Sequence, residues 1–135
     1  MRQIDKIIIH CSATVEGKDF KASDIDAWHK KRGFKCIGYH YVVDLDGTVE
    51  KGRDENIVGA HCASHNTYSI GVCYIGGLDK NKKPKDTRTL EQKQALLKLL
   101  KELKCRYPKA NIYGHCDLAN KACPCFDARE EYKSL

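Results

Sequence analysis

The sequence predicts a single α/β domain, and three stretches carry that prediction. Residues 4–9 are a short, β-branched stretch that carries the apolar run Ile7-Ile8-Ile9, the mark of a buried strand. Residues 38–51, GYHYVVDLDGTVEK, alternate with period two around an Asp46-Gly47 turn and read as a β-hairpin. Residues 89–107 place Leu96, Leu99, Leu100, Leu103 and Tyr107 on one helical stripe, which is core. A chain of 135 residues suffices for one domain with its own core.

The remaining elements fit between these in order. Residues 23–31 read as a helix, with Ser23 as its cap, Asp26 completing a capping box and Gly33 ending it. Ile25, Trp28 and His29 share one face of it; Trp28 is expected in the core and His29 in a structural role. Residues 59–66, GAHCASHN, are a loop carrying His61 and His65. Residues 69–75 form a strand whose internal Gly71 signals the close approach of another group. A lysine-rich surface loop covers residues 78–87. The long helix then opens on a Thr89–Gln92 capping box and stops before Pro108. Residues 111–114 make a short strand, and residues 127–133 a last short helix.

Composition narrows the function classes. The net charge of +6, from 24 Lys+Arg against 18 Asp+Glu, is a mild excess that solvated faces explain. No basic stretch is interleaved with aromatics and no nucleic-acid motif is present. No apolar run is long enough to span a membrane, and the start lacks the apolar stretch of a signal peptide. The expectation is a protein that is cytoplasmic as synthesised. Eight cysteines would suit a disulfide framework in a short secreted chain, but here most read as buried or free thiols.

The chemistry concentrates at the two ends. His10 closes the first strand, and His115 follows the last one in GHCDLANKACPCFD, where Lys121 and Cys123 follow. Two imidazoles and a thiolate make a three-ligand zinc set with a fourth position open to water or substrate. Lys121 offers an ammonium and Tyr39 a phenol O–H to an oxyanion formed on an attacked amide. Period two puts Tyr39 and His40 on opposite faces. The doublets His10-Cys11 and His115-Cys116 suggest histidines turned to the site and cysteines to the core. Two alternatives stand beside this: a closed site of His115, Cys116, Cys123 and Cys125, and a disulfide joining Cys125 to Cys116 or Cys123. No HExxH is present, so a helix-borne glutamate base is absent, and the proton donor to the leaving amine is not assigned.

Four segments together, IIIHCSAT, GYHYVVDLDGTVEKGRDE, GAHCASHNTYSIGVCYIGG and HCDLANKACPCFD, resemble the zinc-dependent N-acetylmuramoyl-L-alanine amidase family, whose fold the peptidoglycan recognition proteins share. The resemblance spans residues 7–127. It implies a central mixed β-sheet flanked by helices, one Zn2+ on His10, His115 and Cys123, and Tyr39 and Lys121 as the catalytic pair. It further implies hydrolysis of the amide between N-acetylmuramic acid and L-alanine of peptidoglycan stem peptides, with His61 and Asn66 as substrate contacts. A non-catalytic relative that only holds muramyl peptide typically lacks the cysteine ligand, so Cys123 favours the enzyme. The expected partners are peptidoglycan or muramyl peptides, with no nucleic acid and no membrane. The expected state is a monomer, reaching the cell wall by holin-type release or another route.

Overall fold

The run KIIIHC becomes the middle strand of the molecule in the computed structural model, which describes residues 2–135. The elements are β1 (Lys6–Cys11), β2 (Thr14–Val15), α1 (Ala22–Lys31), β3 (Tyr41–Val43), β4 (Val49–Lys51), β5 (Ser69–Tyr74), β6 (Gly77–Leu78), α2 (Leu90–Arg106), β7 (Asn111–Gly114), a 3₁₀ turn at His115–Asp117 and α3 (Ala128–Glu131). The main sheet runs β4-β3-β5-β1-β7. β1 is parallel to β5 and β7, and β3 is parallel to β5. Only the hairpin partner β4 is antiparallel, so the sheet is mixed.

Alternation along β1 divides its side chains between two faces. Ile7, Ile9 and Cys11 pack with Val43, Val72 and Tyr74 beneath the α2 stripe of Leu96, Leu99, Leu100 and Leu103. On the opposite face Ile25 of α1 packs with Ile37, Val42, Cys73 and Ile75. Each fully buried aliphatic side chain contributes roughly 1.5–3 kcal/mol of transfer free energy, and these two clusters hold the helices on the sheet. The α2 start is fixed as the sequence indicates: the Gln92 N–H donates to Thr89 Oγ1 at 3.0 Å and the Thr89 N–H to Gln92 Oε1 at 2.9 Å. The buried Gln92 amide also donates to the carbonyls of Val43 and Ile75, tying the helix to two strand ends.

Several local expectations are corrected. α1 begins at Ala22, and Asp24 rather than Asp26 reaches back, accepting from the Lys21 N–H at 2.8 Å. With the helix starting earlier, Asp26 is freed to accept from the Ile37 N–H at 2.8 Å and to pair with Lys30 at 2.9 Å. Trp28 is 38% exposed, not core, because its face of α1 borders an open groove. The start of the lysine-rich loop is strand: β6 pairs with β2 in a separate two-stranded sheet, each strand too short for any periodicity to reveal. The last helix is confined to Ala128–Glu131. Cys116 is exposed rather than turned to the core, because it lies on a 3₁₀ turn where strand alternation no longer holds.

Candidate metal centre and its groove

Register brings the two ends of the chain together. Ile9 of β1 pairs with Gly114 of β7 in a parallel ladder, so His10 and His115 leave adjacent strands side by side. This is the carboxyl edge of a parallel sheet, where α/β proteins commonly place functional groups. The two rings lie 4.6 Å apart, centroid to centroid. The chain then loops back through Cys123, whose carbonyl accepts from the Cys116 N–H at 2.7 Å and whose Sγ accepts from the Cys11 N–H at 3.1 Å. One ligand atom each from His10, His115 and Cys123 falls within 4.8 Å of the others, a spacing that one metal ion can bridge. Cys116 and Cys125 stand outside this group; Cys125 Sγ donates to the Gly77 carbonyl at 3.3 Å, and all eight cysteines are free.

Burial sets the protonation states. It pushes His10 well below its usual range, with His61 and His115 adding to the effect. His61 is pushed down to about 3, by burial first and then by His40 and His115. His115 is lowered by burial and by the Lys121 charge. All three are therefore neutral imidazoles near pH 7, with lone pairs available for a cation. Tyr39, its ring 5.0 Å from His10, is pushed well up by burial and then by neighbouring cysteines, so it keeps its phenol proton.

His61 sits closer to the centre than a substrate contact alone requires. Its Nδ1 is 2.9 Å from His10 Nε2, and its Nε2 is 3.2 Å from Ser69 Oγ. Gly71 makes this possible, since a Cβ there would fall 2.6 Å from the His61 ring. The glycine signal in the sequence is thus the imprint of this imidazole. Asn66 Oδ1 accepts from the N–H groups of His61 and Cys62, at 3.0 and 2.9 Å, and so shapes the loop that delivers His61.

A groove of about 660 Å³ opens over these residues. Tyr39, His61, Asn66, His115, Lys121 and Cys123 all line it, while His10 is buried beneath at 1% exposure. The helix α1 and its C-cap line it with Ile25, Trp28, His29 and Arg32. Among the described residues no aspartate or glutamate lines it.

The sequence matches the N-acetylmuramoyl-L-alanine amidase family over residues 1–126. The chain belongs to that family. An endolysin of Klebsiella phage KP32 is 44% identical over 128 residues, covering 95% of this chain and 85% of its own. An endolysin of Enterobacteria phage K11 is 42% identical over 133 residues, covering 98% and 88%. Among solved structures, an endolysin N-acetylmuramoyl-L-alanine amidase, LysCS, from Clostridium intestinale URNW superimposes with a TM-score of 0.83 at 30% identity, covering 98% of this chain and 83% of that one. The protein is thus an amidase that hydrolyses the amide joining N-acetylmuramic acid to L-alanine in peptidoglycan. No helix of the amidase among its described residues is long and apolar enough to cross a membrane.

Sequence reasoning misses the α1 lining of the amidase groove. It places Trp28 in the core and gives Arg32 and Phe34 no role. A signal is present all the same: Ile25, Trp28, His29 and Arg32 follow i, i+3, i+4, i+7 spacing, one continuous helical face.

Proposed function

We infer that this amidase works as a one-zinc enzyme with His10, His115 and Cys123 as its protein ligands. The observation that carries this reading is the convergence of those three donors, with neutral imidazoles, at the edge of an open groove. Two nitrogens and a thiolate suit Zn2+ better than the hard, oxygen-seeking divalent ions. When bound, zinc supplies a Lewis acid that polarises the scissile carbonyl and acidifies water at neutral pH.

The chain's own residues do the rest. His10 Nε2 faces His61 Nδ1, so a proton on His10 Nε2 leaves the His10 Nδ1 lone pair for the cation. His61 then carries its own proton on Nε2, toward Ser69 Oγ. Each ring thereby fixes the next one's tautomer and orientation. Tyr39 donates its retained proton as a hydrogen bond, and Lys121 presents an ammonium, both to the oxyanion of the attacked amide. His61 and Asn66 border the peptide's path along the groove. The whole chain, residues 1–135, acts as one catalytic domain and as a monomer, with a separate pore or export route giving it access to the wall.

The test is a titration of metal-free protein with zinc, read by both metal content and products. One zinc per chain and release of stem peptides with free L-alanine amino ends are expected. Full hydrolysis by protein stripped of metal would overturn the zinc assignment.

A further inference from the structure

Apart from the proposed ligand set, the groove offers formal charge of one sign only. Among the described residues that line it there is no aspartate or glutamate, while Arg32 and Lys121 are present. Lys121 lines the groove with His115 and Cys123, where the reacting amide is placed above. Arg32 stands at the carboxyl end of α1, exposed, and forms no ion pair among the described residues. Its guanidinium lies 5.2 Å from the centroid of the Phe34 ring, which supports it from one side. Arg32 lines the groove together with His29 and Tyr39, whose ring centroids lie 5.4 Å apart, so it borders the groove rather than only the outer surface.

The substrate offers a matching asymmetry. On the sugar side of the scissile amide the groups are hydroxyls and acetamides, which are neutral. On the peptide side the stem carries free carboxylates. A groove that has a spare guanidinium and no acid attracts the charged half of such a molecule and sets its direction. The planar fork of arginine suits a bidentate carboxylate contact.

Resting on the amidase reading, we propose that Arg32 is a specificity-determining residue that pairs with a free carboxylate of the stem peptide. It orients the peptide along the α1 wall and makes the enzyme prefer acidic stems over amidated ones. Trp28, exposed on the same helical stripe, supplies the apolar surface beside that contact. The role is one of ground-state binding, so its loss falls on KM rather than on kcat.

The experiment compares three muramyl tripeptides of one sequence: the free acid, the form amidated at the second residue's carboxylate, and the form amidated at the third residue's carboxylate. Each is cut by the parent, by Arg32→Met and by Arg32→Lys. The parent is expected to lose roughly five- to tenfold in kcat/KM on one amidated form, mainly through KM, the size of a single net hydrogen bond at an exposed position. Arg32→Met should cut all three at the rate of that poor substrate, and Arg32→Lys should regain part of the difference. Equal cleavage of all three by the parent would overturn the proposal, as would a preference that survives in Arg32→Met. Failure of the parent to cut even the free acid would instead remove the amidase reading on which it rests.

Discussion

The metal groove and the cavity beside the β3–β4 hairpin are of similar volume, about 660 and 480 Å³, and differ in whether their polar groups are already used. In the hairpin cavity Glu55 accepts from Tyr41, from Tyr107 at 2.7 Å and from Arg106 at 2.8 Å. His40 Nδ1 accepts from the Gly71 N–H, which leaves its Nε2 proton for the Ile57 carbonyl. Arg53 donates to the carbonyls of Ile37 and Val58. Every one of these groups holds the fold together. In the groove, by contrast, neutral imidazoles and a thiol converge with lone pairs to spare, and Arg32 has no ion-pair partner among the described residues. A cavity becomes a candidate site when its donors and acceptors have capacity left for a ligand.

Substitutions should separate the two regions sharply. Cys123→Ser should abolish stoichiometric zinc and lower hydrolysis by more than about 100-fold, the upper range for outer-shell changes, while the protein still folds. Metal analysis beside a peptidoglycan assay checks both halves. His61→Ala, which removes the partner of His10 without touching a ligand, should weaken zinc by roughly 10- to 100-fold in a chelator competition. An unchanged zinc affinity would return His61 to a purely substrate-facing role.

Glu55→Gln should do the reverse of Cys123→Ser. It should cost about 1–3 kcal/mol of stability by chemical denaturation, because three donors lose their charged acceptor, yet leave zinc content unaltered. The smallest effect is its pH dependence. Burial pushes Glu55 up, but hydrogen bonds from Tyr41, Tyr107 and Arg106 together outweigh it and hold the carboxyl below its ordinary value. Its stabilisation is therefore present above the ordinary carboxylate range and is lost as pH falls through the lowered folded value. The parent should lose stability more steeply than Glu55→Gln between about pH 5 and pH 3, and parallel melting curves there would contradict this.

Much of this contrast is legible in the amino-acid sequence. The β1 run, the hairpin turn and the Thr89–Gln92 box are local patterns with local causes; the turn and the box appear where the sequence places them, and the strand lies two residues later than expected, at Lys6–Cys11. His10 and His115 are legible because both lie at the carboxyl ends of strands, His10 one residue inside the end of β1 rather than closing it and His115 just past β7, and parallel pairing then aligns them. The hairpin cavity is not, since Glu55 meets Tyr107 and Arg106 across more than fifty residues, with no spacing to announce it. Trp28 escapes its expected place because a helical stripe reveals which residues share a face, not what that face meets. His61 is half legible: Gly71 announces a close neighbour but cannot say which one.

Zinc K-edge X-ray absorption on the freshly purified enzyme examines the ligand set with the least inference. One sulfur at about 2.3 Å, two imidazole nitrogens at about 2.0–2.1 Å and one light atom in the fourth position are expected. Two or more sulfurs per zinc, or none, would contradict the pairing of His10, His115 and Cys123 around an open coordination position.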